Sequence, residues 1–191
     1  PVAESAGALR DLMDEGKARY VGVCNMGVEH LEAFQAACAI SVVVLPMNML
    51  QRDVEDEIVP WCAEREIGVA LYWVLMKGLL AGKLPRETEL PENDPRRRYP
   101  MYQGEEWQRN YLFLDKLRAI AAECGKTVAQ VVVNWTMHRP GITVALCGAK
   151  RPNQVKETAG AMGWQLSDEH LSRINAAIAE RGPAAGKRMI S

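Results

Sequence analysis

Short apolar runs alternate four times with longer amphipathic stretches along this chain of 191 residues. The runs cover 19–24 (Arg-Tyr-Val-Gly-Val-Cys), 41–45, 68–72 and 143–147. Each is too short for a helix and reads as a buried strand. The stretches between them place apolar residues at helical spacing. Leu9, Leu12 and Met13 form one face over 8–15, Leu31 and Phe34 another over 29–38, and Val54, Ile58 and Trp61 or Cys62 a third. Strand and helix in alternation build parallel βαβ units, with helices laid against a sheet.

The punctuation agrees with that reading. Gly16 stops the first helix, and Asp53 is a cap for the third. Trp107, Tyr111, Leu114, Leu117, Ala121 and Cys124 mark one face of a later helix that Gly125 ends. Thr127 to Gln130 is a capping box opening the very apolar 131–135. Pro152 suits the first turn of a helix running to about Met162. Ser167, Asp168 and Glu169 begin the last one, with Leu171, Ile174 and Ile178 inward. Residues 84–106 break the rhythm with Pro85, Pro91, Pro95 and Pro100 and the run Arg96-Arg97-Arg98. A stretch of that length reads as a long loop, and its arginines as a solvated run on a mobile lid. Residues 182–191 read as a flexible tail.

Hydrophobic residues make up 48% of the chain, which suits one domain with a sizeable core. The net charge of -1 advertises neither nucleic acid nor an acidic tail. No run approaches the ~20 apolar residues of a membrane helix, and the first residues lack the pattern of a secretory signal. Cys24, Cys38, Cys62, Cys124 and Cys147 are odd in number and contain no CxxC pair. They read as reduced thiols of a cytoplasmic protein. His30, His138 and His170 fall on outer helices without ligand-like spacing, so no metal site is expected.

Two architectures suit parallel βαβ units. A doubly wound dinucleotide fold normally shows GxGxxG after a strand, and this chain has none. A (β/α)8 barrel typically takes ~250 residues, so four strands fall short of one by half. The motifs then carry a resemblance. Gly16-Lys17-Ala18-Arg19-Tyr20-Val21-Gly22-Val23-Cys24-Asn25 resembles a segment of the aldo/keto reductase family that ends in Gly-Val-Ser-Asn. Asn48-Met49-Leu50-Gln51-Arg52 is similar to its Asn-Leu-Leu-x-Arg, and Gly78-Leu79-Leu80-Ala81-Gly82-Lys83 to its Gly-Leu-Leu-Thr-Gly-Lys. Gln103-Gly104-Glu105 fits a prokaryotic-type branch. The segment from Gly148 to Glu157 resembles the family's adenine-nucleotide segment. The order and spacing of these motifs cover nearly the whole chain.

The resemblance implies α/β architecture: the C-terminal half of a TIM-type (β/α)8 barrel, parallel strands five to eight with outer helices, 1–191 forming a single partial barrel domain. It implies an NADP(H) site drawn from Cys24, Asn25, Tyr72, Trp73, Leu75, Gly78, Gly148, Ala149, Lys150, Arg151, Gln154, Glu157 and Thr158. In such barrels the site lies at the C-terminal ends of the strands. Read as residues, Lys150 and Arg151 beside a helix start suit a 2′-phosphate or form a solvated pair. The resemblance makes Tyr72 a ring that stacks on nicotinamide, where the residue alone reads equally as a core tyrosine, and Asn25 a carboxamide holder, where the residue alone reads as a local turn residue. Asn48 and Arg52 read as structural.

Departures from the family fall at positions near the implied cofactor. Cys24 stands for its Ser, Val44 for its Gln, Trp73 for the Ser of Tyr-Ser-Pro-Leu, and Thr158 for the Asn of Glu-Asn. Each lost hydrogen bond costs ~0.5–1.5 kcal/mol. The family's catalytic Asp, Tyr, Lys and His lie on its first four strands, so no catalytic residue is nominated and the isolated chain is expected to be inactive. The implied function is NADP(H)-dependent reduction of aldehydes or ketones to alcohols when complete, with a small carbonyl substrate. The alternative is a non-catalytic nucleotide-binding, regulatory or assembly module derived from such a reductase. Neither nucleic acid nor membrane is an expected partner; self-association or a missing N-terminal half is.

Overall fold

The structure is a computed structural model that describes residues 1–185. Four strands, β1 (Gly22–Cys24), β2 (Val42–Pro46), β3 (Gly68–Tyr72) and β4 (Val144–Ala145), form one sheet in the order β1-β2-β3-β4. Every neighbouring pair is parallel, with Cys24 beside Val44, Val44 beside Ala70, and Ala70 beside Val144. The helices are α1 (Val2–Asp14), α2 (Val28–Ala37), α3 (Ile58–Ala63), α4 (Gly104–Glu123), α5 (Val128–Met137), α6 (Pro152–Ala159) and α7 (Asp168–Arg181).

The period of two along the strands sorts the side chains. Val23, Val43, Leu45, Val69 and Leu71 are buried in one continuous core with Leu31 and Phe34 of α2, Trp61 of α3, Leu114 and Leu117 of α4, and Val131 of α5. The opposite face carries Cys24, Val44, Tyr72 and Val144, which are exposed or half-buried. Because all four strands run the same way, Asn25, Met47, Trp73 and Leu146 leave the sheet at one common end.

The fold class is corrected. The expected C-terminal half of a TIM-type (β/α)8 barrel, with strands five to eight, is replaced by a four-stranded parallel α/β fold with its own core. That expectation joined the family's motif order to a strand count set against the ~250 residues of a whole barrel. A count gives the number of strands and does not place them within a barrel.

Element bounds also shift. α1 starts at Val2, six residues before the first residue expected, because Ala6 is already buried there while the apolar stripe only shows from Leu9. The loop of 84–106 ends earlier. α4 begins at Gly104, where Glu105 and Glu106 sit favourably in its first turn, and short 3₁₀ turns cover Pro95–Arg98 and Pro100–Tyr102. Arg96 is not solvated: its guanidinium lies 2.6 Å from Asp94, while Arg97 and Arg98 are exposed. Of the expected tail, Gly182 to Ala185 is tied down. Arg181 donates to the carbonyls of Gly182 and Pro183, and Ala185 N–H donates to Glu106. Its remainder, 186–191, lies outside the described residues.

Among the described residues no helix is long and apolar enough to cross a membrane. No group of three or more His, Cys, Asp or Glu there could hold a metal ion.

Candidate cofactor site at the strand ends

Asn25 follows β1 with φ of 57°, a left-handed conformation that Asn tolerates better than most residues. Its backbone N–H donates to the Val44 carbonyl at 3.1 Å. The Tyr72 hydroxyl donates to Asn25 Oδ1 at 2.9 Å. Two residues that are 47 apart in the chain are thus joined across the end of the sheet. The amide nitrogen of Asn25 has no hydrogen-bond partner among the described residues.

Trp73, next along, has φ of 69°. Its indole N–H donates to Gln51 Oε1 at 3.1 Å, which also accepts from the buried Asn48 amide at 3.1 Å. Asn48 in turn accepts from the Leu50 N–H, so its expected structural role holds. Met76 and Lys77 are left-handed as well, at 48° and 56°, and Gly78 follows at 93°. Non-glycine residues avoid this region, and such runs persist where the surroundings fix them. Here the indole bond, a Trp73–Tyr99 ring contact at 5.9 Å, and the Lys77 ammonium 5.5 Å from the Trp73 ring do so. Tyr102 reinforces them by donating to the Lys77 carbonyl at 3.1 Å. Burial pushes the Tyr102 phenol up to about 12, with Arg96 opposing.

Gly148 lies beyond β4, and a Cβ there would meet nothing within 4 Å. Ala149, Lys150, Arg151, Pro152, Val155 and Lys156 line a shallow cavity of about 540 Å³ beside the start of α6. Three cations therefore border one hollow. At this helix start the Lys150 and Arg151 N–H groups both donate to Gln154 Oε1, at 2.8 and 3.0 Å. Asp94 of the long loop lies within electrostatic reach of Lys150. Hydrogen bonds from Arg96 hold its carboxyl down at about 2, with the Lys150 charge contributing. Glu157 pairs with Lys83 at 2.5 Å, and Thr158 donates to the Gln154 carbonyl at 3.0 Å.

The nominated residues thus fall into two groups. Asn25 and Tyr72 touch, with Cys24 exposed at the adjoining strand end and Trp73, Leu75 and Gly78 in the turn after β3. Gly148 to Arg151, Gln154, Glu157 and Thr158 gather at α6. Lys156, Lys83 and Asp94 were not nominated from the sequence. Lys156 was legible, since it lies one helical turn beyond Pro152 on the same face. The other two are brought in by the fold of the long loop.

Known proteins resemble the chain over nearly its whole length. The Aldo/keto reductase family matches residues 1–179. An aldo-keto reductase of Bacillus subtilis, YhdN, is 31% identical over 92% of this chain and 53% of its own length. A probable aldo-keto reductase of Glycine max is 29% identical over 98% of this chain and 54% of its own. The chain spans about half the length of the curated relatives it matches. The solved glycerol dehydrogenase of Gluconobacter oxydans superposes with a TM-score of 0.91 at 29% identity, covering 100% of this chain and 58% of that one. The family match runs from the first residue through the whole described sheet, and with it the half-barrel numbering of the strands is withdrawn. The chain belongs to the aldo/keto reductase family.

Proposed function

We propose that this chain serves an NADP(H)-dependent oxidoreductase that reduces aldehydes or ketones to alcohols, and that its strand ends and α6 hold the cofactor. Aldo/keto reductases use nicotinamide cofactors. The observation that carries the choice of NADP(H) is the hollow bordered by Lys150, Arg151 and Lys156. A 2′-phosphate adds charge and acceptor oxygens, and charge-assisted hydrogen bonds are roughly twice as strong as neutral ones.

The residues present fit such a group. Gly148 leaves room for close approach. Lys150 and Arg151 offer side-chain cations while Gln154 keeps their N–H groups. Asn25 presents an uncommitted amide nitrogen, and Tyr72 a half-buried ring beside it. Bound cofactor supplies a hydride; this chain's part is to bind and orient it.

Calorimetric titration of both cofactors tests the reading. Replacing Lys150 and Arg151 together by Ala should weaken NADP binding about tenfold or more and change NAD binding less than about twofold. Equal losses for the two cofactors would show that these cations do not read the phosphate.

A further inference from the structure

We infer that Cys124 and His170 form a second reactive site, a thiol with its own base, which exchanges with low-molecular-weight disulfides and becomes modified as a mixed disulfide. The site shares no residue with the strand ends or the hollow at α6, so it stands apart from the cofactor reading. α4 ends on Cys124, and His170 lies in the first turn of α7, behind the capping Ser167. The two helices bring the Cys124 sulfur to 3.6 Å from His170 Nδ1. The other ring nitrogen, Nε2, lies 3.3 Å from Glu123 Oε2. Two hydrogen bonds from Arg173, at 2.6 and 2.7 Å, keep Glu123 ionised, its carboxyl held at about 2. An ionised carboxylate only accepts, so in the neutral ring Nε2 carries the proton and Nδ1 is left as an acceptor for the thiol. The Ser167 hydroxyl, 3.0 Å from Nδ1, steadies the ring on the same side. A nucleophile within reach of a base that a third group orients is the arrangement that activates weak nucleophiles.

The surroundings make the base necessary. Burial and then the Glu123 charge push the Cys124 thiol up, with Arg173 and Lys126 opposing. The resting sulfur is therefore protonated, whereas the thiolate is the nucleophile. His170 takes the thiol proton as the Cys124 sulfur attacks one sulfur of the disulfide. A new S–S bond forms to Cys124, and the old one breaks. The departing thiolate takes the proton back from His170 and leaves as a thiol, so one disulfide and one thiol enter and one of each results. Cys124 is half-buried and open to a small reagent, while Cys38 and Cys62 are buried. Cys24 is exposed but bonds to no histidine among the described residues.

Oxidised glutathione at neutral pH is the probe, with mixed disulfides followed residue by residue by mass spectrometry of non-reduced digests. Cys24, exposed and without a base, is the internal reference. In the native chain Cys124 should react faster than Cys24 although it is the less exposed. His170→Gln keeps a polar side chain in the first turn of α7 but takes up no proton. It should slow Cys124 about tenfold or more while Cys24 stays within about twofold. In urea, where the cluster is dispersed, the native and variant chains should modify Cys124 at one common rate, which separates loss of the base from a change in the thiol. A native chain whose Cys124 stays unmodified or reacts more slowly than Cys24 overturns the inference without any variant. A smaller slowing in the folded His170→Gln chain overturns it as well, as does a difference between the two chains that persists in urea.

Discussion

The Lys83 ammonium meets the Glu157 carboxylate at 2.5 Å, joining the foot of the long loop to the second half of α6. Lys83 is 59% exposed, so the pair adds little to global stability. Its effect is local. Lys83→Ala should change the unfolding free energy by less than about 1 kcal/mol. It should nevertheless speed tryptic cleavage at Arg96, Arg97 or Arg98 several-fold, followed by mass spectrometry. Unchanged cleavage would mean that the pair does not hold the loop.

Arg181 is the converse case. It is buried and donates to Asn110 Oδ1 at 2.9 Å, to Glu106, and to two carbonyls of the following turn. Burial pushes Glu106 up, and hydrogen bonds from Arg181 and from the Ala185 N–H outweigh it, leaving the carboxyl below its ordinary value. Arg181→Ala leaves Glu106 with only Arg109 and the Ala185 N–H, removes the donors to Asn110 Oδ1, and should destabilise the chain by up to about 3 kcal/mol in urea denaturation.

Acid should weaken the packing of α4 on α7. Arg173 donates to both oxygens of Glu123, and these bonds hold the carboxyl at about 2 against an ordinary 4.5, with His170 adding to them and burial opposing. A carboxyl lowered by folding contributes stability above its unfolded value and loses it as the pH falls through the folded one. The window here runs from 4.5 down to about 2. Urea midpoints should therefore drop more between pH 6 and pH 3 for the native chain than for Glu123→Gln, since the amide does not titrate.

Two glycines from the recognisable motifs should behave oppositely. Gly82 has φ of 68°, and a Cβ there would come within 2.9 Å of the Val128 side chain. Gly82→Ala combines backbone strain with overpacking and should cost about 2–3 kcal/mol. Gly148 has open space about it. Gly148→Ala should leave thermal stability nearly unchanged while weakening cofactor binding, which melting curves and titration resolve separately.

The alternation of short apolar runs with helical stripes made the parallel sheet readable, because each buried strand must bury Val43, Val69 and their like against a helix. The capping box of Thr127 and Gln130 was readable for the same reason, being a local pattern with a local partner. The site was readable in part. Lys150 and Arg151 announce themselves by charge. The Asn25–Tyr72 bond does not, because two intervening strand pairings bring those residues together. Gln154 was legible as a site residue but not as the group that captures the N–H groups before α6, since Arg151 precedes the helix where a capping box would have Ser or Thr. The early start of α1 and the true start of α4 were hidden because their first turns carry few apolar side chains.

The stretch between Lys83 and Gln103 joins no strand, and its backbone bonds are short turns such as Asp94 N–H to the Pro91 carbonyl and Tyr99 N–H to the Arg96 carbonyl. What fastens it is side chains. The Trp107 indole donates to the Arg86 carbonyl at 2.8 Å, Tyr102 stacks on Trp107 at 6.0 Å, and Tyr99 leans on Trp73. Parting those rings frees the amide hydrogens of the whole stretch at once and disturbs none of the pairing between β2 and β3. In deuterium exchange the segment should therefore behave as its own cooperative unit, labelling together and well before the sheet, with a rate set by how tightly aromatic rings hold it.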